Sequence, residues 1–564
     1  MTPPAGTPTP PQPAQTVPPL HPSLMVTPRP ESPVSAGPAN VTPLVDPALM
    51  VTPRLVTVPE DTSAAGPRPL RVVIIGGGIG GLAAAWHLRR RAPDSAITVV
   101  EASPRFGGVI RSERRDGYLL EHGPDAFLRA KPAALALVNA LGMGGDVQET
   151  QDNARRSLVV RHDRLRPVPE GFYLLAPGKW STFLGAGLVS LPGMLRMGMD
   201  LVLPRRAADA PEESLAQFVR RRLGAEALAR LAQPLVGGIW TADPELLSMP
   251  AALPQLIAME AKHRSLLLGM RARVGEAPAS GARYGLFAAL RGGMGSLVDG
   301  LVASLTSDAT DPATATTSRK ADLRLLTAAV AVEPRRARPY ADPARWDVAL
   351  SGPDGPSTLL ADAVIISLPS HAAAKVCASF DEDLAWELDG IPCASVAIVT
   401  FAWDAGGLRD YPVAAGLVVP HIEGRTVIAA SFTARKFAGR APEGGILVRA
   451  FIGGALHPNA LDRDDQALIT AALTDLDRWL GVRGPPRFAL VQRWPRAMPQ
   501  YVLGHQQRLT SIRARERAWP GLALCGGAYE GVGIPDVIAQ AERAVAQVLA
   551  GRAGLRSGDS VPLA

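Results

Sequence analysis

The sequence predicts an α/β fold built on a parallel sheet that the chain visits more than once. Two stretches carry that prediction. Residues 71–101 read as strand, glycine-rich turn, helix and second strand, and residues 522–550 read as strand, glycine-rich loop and long helix. Between them lie short apolar strands and amphipathic helices, the pattern of an α+β region with a helical insertion.

The apolar run Val72–Ile75 is the length of a buried parallel strand, and the Ala/Leu-rich run after it has helical period. Between them stands Gly76-x-Gly78-x-x-Gly81. The first glycine permits the tight turn, the second lets the backbone approach a pyrophosphate, and the third allows close helix–strand packing. The N–H groups at the helix start then face the phosphates. A second apolar strand, Ile97–Val100, ends in Glu101, placed to accept hydrogen bonds from an adenosine ribose. Strand, glycines, helix, strand and acid in this order predict a Rossmann-type dinucleotide site.

A chain of 564 residues suggests two to four domains at ~150 residues each. The formal charge of +7, from 59 basic and 52 acidic residues, is a modest excess without a dense basic block, so nucleic acid is not an expected partner. Cys377, Cys393 and Cys525 lie far apart with no metal spacing. Reduced thiols, a cytoplasmic setting and no metal site are the expectation. No apolar run reaches the ~18 residues of a spanning helix; the nearest, 183–203, is broken by Pro192, Arg196 and Asp200.

In chain order, residues 1–69 are rich in Pro, Thr, Ala and Val without periodicity, which predicts a disordered tail. Arg105 is a candidate for facing a diphosphate, and Gly107-Gly108 lets backbone pass close to a ligand. Asp116-Gly117 reads as a hairpin turn, and His122 in the loop after it as a structural histidine. From 132 to about 305 the pattern is mostly helical, with Ser214 as a cap. Residues 172–203 combine Trp180 and aliphatic side chains with Lys179 and Arg196, a composition suited either to an interface with membrane or partner or to a core helix pair. Strands are expected over 323–332, 346–350, 363–367, 395–402, 416–419, 426–432 and 446–452, then a helix over 465–480.

The C-terminal loop, Gly526-Gly527-Ala528-Tyr529-Glu530-Gly531-Val532-Gly533-Ile534-Pro535, has no acid-ended strand after it, so it does not read as a second adenosine site. A helix N-terminus pointed at the N1–C2=O edge of an isoalloxazine would stabilise developing negative charge there. Two glycine loops therefore fit one extended FAD.

On these residues the chain resembles the bacterial oxygen-dependent coproporphyrinogen III/protoporphyrinogen oxidases of the flavin amine oxidoreductase superfamily. The likeness spans about 70–553 and is carried by Gly76–Gly81, Glu101–Gly108, Gly123–Leu128, Arg493–Pro495, Met498–Tyr501 and Gly531–Asp536. It implies FAD contacts at Gly76, Gly77, Gly78, Ile79, Gly80, Gly81, Glu101, Ala102, Arg105, Gly108, Gly123, Pro124, Asp125, Ala126, Val330 (by its backbone), Trp494, Val532, Gly533 and Ile534. It implies a discontinuous FAD domain over 70–125, 285–375 and 490–553, a helical, membrane-facing domain over 150–235, and a substrate domain over 126–149, 236–284 and 376–489. The implied reaction oxidises a porphyrinogen to the porphyrin with O2 and releases H2O2, in haem biosynthesis alongside other enzymes of that pathway, with coproporphyrinogen III favoured over protoporphyrinogen IX. Arg129 and Lys131 are candidates for the substrate propionates. No acid–base pair stands out as catalytic. A flavin amine oxidase and a flavin-free carrier of the same fold are the competing readings.

Overall fold

The computed structural model describes residues 68–556, apart from 170–171, 174–175, 178–182, 184, 208, 275–286, 312–315 and 336–343. The expected tail lies outside the described residues up to residue 67, as do Lys179 and Trp180.

A five-stranded parallel sheet forms around β1 (Arg71–Ile75). Its other strands are β2 (Ala96–Val100), β3 (Asp322–Arg324), β4 (Ala363–Ile366) and β5 (Leu522–Leu524), in the order β3-β2-β1-β4-β5. Alternate side chains point to opposite faces, and both faces are covered. Val72 and Ile74 pack against α1 (Ile79–Arg91) and α2 (Ile534–Arg556). Val73 and Ile75 pack with Val364, Ile366 and Tyr529 on the other side. Buried Gly80, Gly81 and Ala83–Ala85 keep α1 thin on its packed side.

The single strand expected over 323–332 is two. Asp322–Arg324 joins the parallel sheet beside β2, Leu326 turns at φ +53°, and Ala328–Pro334 starts a separate antiparallel meander with Trp346–Gly352 and Gly355–Ala361. The stretch expected to be helical from 132 also contains strands. Ser157–Arg161 and Arg164–Pro167 end a seven-stranded sheet whose remaining members are Gly416–Val418, Val427–Phe432, Ile446–Gly453, Cys393–Trp403 and Phe488–Pro499. The apolar Leu158-Val159-Val160 is too short for a helix and finds a parallel partner in 416–418.

Helix Asp465–Leu480 covers one face of this sheet, burying Val399, Phe401, Val448 and Ala450. Register puts Leu490, Thr400, Arg449 and Ser431 in one row of the opposite face, with Gln492, Ile398, Phe451 and Ala429 in the next. Helices from 215 to 274 form their own core against the sheet. Ser214 opens the first of them with a capping box to Gln217. Arg196 donates to the carbonyls of Arg220, Arg221 and Arg222, closing that helix rather than adding charge to a surface.

Candidate functional site

All five strands of the parallel sheet run the same way, so the loops after β1, β4 and β5 leave one edge together, where open α/β sheets bind ligands. Gly76 turns at φ +105°, and a Cβ there would lie 2.4 Å from the Ser367 carbonyl oxygen of the loop after β4. At Gly81 a Cβ would come within 1.9 Å of the Gly76 oxygen. Gly78 is different: only Gly108 Cα lies near, at 4.0 Å, so one side of its backbone is open. That is the cradle a pyrophosphate needs, bordered by Gly77, Ile79 and Gly80.

Glu101 accepts from Gly77 N (2.7 Å) and, two residues beyond Ala102, from Ser103 N (2.9 Å). Its carbonyl accepts from Thr327 N, which brings the following strand alongside. Register in that strand skips Val330, whose side chain is 55% exposed. The register thus leaves Val330 out of the ladder at a bulge. Arg105 departs from expectation. Its guanidinium donates to the carbonyls of Phe106, Gly108 and Ile110, so it ties the loop to itself rather than reaching toward the glycine turn.

The C-terminal loop is set by Tyr501. Its hydroxyl donates to Gly527 O (2.8 Å) and accepts from Gly531 N (2.7 Å), and the ring stacks on His505 at 4.0 Å. His505 in turn donates to Tyr529 O. Burial pushes the Tyr501 phenol up and the His505 imidazole down, so both are neutral at pH 7. Val532, Gly533 and Ile534 follow at the start of α2, and the first turn of α1 touches that start: a Cβ at Gly80 would meet Val537 at 3.0 Å.

The third wall is the loop Gly123-Pro124-Asp125-Ala126. A Cβ at Gly123 would lie 1.8 Å from Val109 O. Arg449, almost fully buried, donates to Gly123 O from below. Asp125 is bound by Lys436 at 3.0 and 3.1 Å and by Arg449 at 3.4 Å, and Ser431 donates to it at 3.4 Å. Burial acts to raise the Asp125 pKa, but the cations win and hold it at about 2. Nearby Glu121 accepts from Ser112 and Met294 N, and burial raises its pKa despite Arg440 at 3.4 Å. Trp494 Nε1 donates to His122 O (2.6 Å), tying the sheet to this loop. His122 itself meets Glu113 at 3.0 Å, a structural partner.

Of the two propionate candidates, Arg129 pairs with Glu149 at the surface. Lys131 grips both Asp536 oxygens (2.6 and 2.7 Å), joining the 123–131 loop to α2. Sequence reasoning did not single out Lys436, Ser431 or Arg449. Only Arg449 announces itself, as the one charge in Ile446-Leu-Val-Arg-Ala-Phe-Ile-Gly453.

The described residues fit an FAD: an open glycine turn for the pyrophosphate, an acid for the ribose, a freed strand backbone for adenine, and a second helix N-terminus for the ring. Among the described residues no cluster of His, Cys, Asp and Glu could hold a metal ion.

Residues 79–549 match the family profile for flavin containing amine oxidoreductases. The coproporphyrinogen III oxidase of Bacillus subtilis is 34% identical over 85% of this chain and 97% of that protein. The coproporphyrinogen III oxidase of Propionibacterium freudenreichii is 33% identical over 86% and 93%. A chloroplastic protoporphyrinogen oxidase of Nicotiana tabacum is 28% identical over 87% and 88%. Among solved structures, a protein assigned as a protoporphyrinogen oxidase from Exiguobacterium sp. 255-15 superposes with TM-score 0.72 at 27% identity, covering 86% of this chain and 99% of that one. The chain belongs to the flavin containing amine oxidoreductase family, in the group of the coproporphyrinogen III and protoporphyrinogen oxidases.

Proposed function

We propose that the protein oxidises coproporphyrinogen III to coproporphyrin III, consuming three O2 and releasing three H2O2 as six hydrogens leave the macrocycle. The observation that supports this most is the composite site: two glycine loops on one sheet edge, faced by a sheet row bearing Arg449 and Ser431. FAD, when bound, supplies the two-electron acceptor for each of the three oxidations. The protein's own part is positioning. Gly76–Gly81 and Glu101 would hold the ADP end, and Gly123–Ala126, Trp494 and Val532–Ile534 would hold the ring. Asp125 stays ionised between Lys436 and Arg449, so it holds the loop and takes no proton from substrate. Tyr501 keeps the C-terminal loop in register. Lys131, one ion pair from that loop, is the better placed propionate candidate.

We further propose peripheral membrane contact through the helix Leu191–Gly198 and the turn after it. Leu191, Leu195 and Val202 are 72, 76 and 71% exposed there. Among the described residues no helix is long and apolar enough to cross a membrane.

The test is to mix the yellow protein with coproporphyrinogen III without oxygen. Loss of the yellow absorbance, then porphyrin fluorescence and H2O2 on admitting air, is the expected result. A protein that stays yellow with this substrate and with protoporphyrinogen IX, but bleaches with amines, overturns the proposal.

A further inference from the structure

We propose a carboxylate subsite, taking a propionate of the tetrapyrrole, in the cleft between helix Gln233–Trp240 and the end of the seven-stranded sheet; this rests on the porphyrinogen reading above. The cleft is open, with a cavity of about 20 Å3, and lined by apolar residues together with Gln233, Thr241, His421, Arg425 and His457. No Asp or Glu lines it. Space of that size admits one small polar group, such as the head of a carboxylate arm, with the body that carries it outside.

Three observations point to an anion. Arg425 gives Nη2 to Asp163 (2.6 Å), yet its Nε is buried with no hydrogen-bond partner among the described residues. The Thr241 hydroxyl is buried and unpartnered in the same way. Such orphaned polar atoms are costly unless something fills the place beside them. The imidazoles of His421 and His457 meet edge to edge, Nδ1 to Nε2 at 3.3 Å, which leaves one ring nitrogen on each without a partner among the described residues.

Thr241 sits at φ +48°, ψ +31°, a left-handed conformation that a β-branched residue rarely adopts. Its backbone is pinned by Thr241 N to Gly237 O and by Ala455 N to Thr241 O. Glycine would suit the backbone better, so the side chain is kept for its own sake. The preceding residue, Trp240, packs its ring 4.8 Å from Tyr501, whose hydroxyl holds the C-terminal glycine loop. Trp240 and Tyr501 thus pack as neighbours between the residue that borders the cleft and the C-terminal glycine loop.

The experiment uses the FAD-loaded full chain, titrated with coproporphyrin III by fluorescence quenching, with steady-state kinetics on coproporphyrinogen III and a melting curve. Thr241→Gly should melt at or above the wild-type temperature while Kd and KM rise roughly ten-fold with kcat retained, the loss of one hydrogen bond to a charged group. The double variant H421Q/H457Q should weaken binding in the same direction. Unchanged Kd and KM in both variants, with wild type turning over porphyrinogen, overturn the subsite and leave the family-level reading intact. A Thr241→Gly protein that melts lower and loses kcat in parallel assigns Thr241 a structural role and also overturns it. A wild type that neither binds coproporphyrin nor oxidises porphyrinogen removes the porphyrinogen reading itself, and the subsite with it.

Discussion

Replacing Lys436 by Met tests whether the charge cluster under the Gly123–Ala126 loop does what the geometry assigns to it. Lys436 is 9% exposed and Asp125 14%, so solvent screens their contact little. Asp125 titrates at about 2 in the folded protein against an ordinary value of 3.8. At ~1.4 kcal/mol per tenfold change, the ionised carboxylate contributes roughly 2.5 kcal/mol to folding at neutral pH. The sign follows from the lowered folded value: the contribution is complete above about pH 4 and disappears as pH falls toward 2. Lys436→Met removes the closest cation but leaves Arg449, so about 2 kcal/mol is the expected loss. For a chain of this size the unfolding entropy is roughly 1 kcal/mol/K, which makes that a fall of about 2 °C in Tm by scanning calorimetry. From pH 6 to 8 the gap between wild type and Lys436→Met should stay constant. A Tm that does not fall, or a gap that changes across that range, refutes the assignment.

Gly81→Ala puts a methyl 1.9 Å from the Gly76 oxygen, so the turn cannot close; flavin absorbance per chain should drop to near zero after gel filtration. Tyr501→Phe removes both hydroxyl bonds to the C-terminal loop. It should cost about 1–3 kcal/mol and broaden the flavin band, read by unfolding and by visible spectra. Leu191→Ser/Leu195→Ser exchanges the most exposed apolar pair on helix 191–198; co-sedimentation with anionic vesicles should fall several-fold while turnover in detergent stays constant.

The parallel sheet was legible because its signals are local. Val72–Ile75, the three glycines and Glu101 lie within one βαβ unit, and each demands a backbone geometry that few other residues allow. The Asp116-Gly117 hairpin and the Ser214 cap were legible for the same reason, and both form. What the sequence hid was pairing at a distance. Leu158–Val160 pairs in a hairpin with 165–167 and joins the large sheet through 416–418, and the strand over 323–332 breaks because β2 claims its first residues. Arg105 donates to the carbonyls of its own loop, a use that an arginine near a glycine turn does not announce in the sequence.

The same distinction separates the parts of the site. Cofactor recognition rests on main-chain approach, so glycine spacing encodes it and the chain announces it early. The side chains that share a wall only after folding are different: Arg449 meets Asp125 across 324 positions, and Thr241 and His457 line one cleft across 216. Neither pair has a spacing that could be read. Each instead leaves a weaker mark, a charge inside an apolar strand or a β-branched residue where glycine belongs. Such marks gain meaning when two of them converge on one cavity, as Thr241 and Arg425 do, because an orphaned donor and a strained backbone are separate costs. It is this coincidence, an orphaned donor and a strained backbone in one cleft, on which the proposed carboxylate subsite rests.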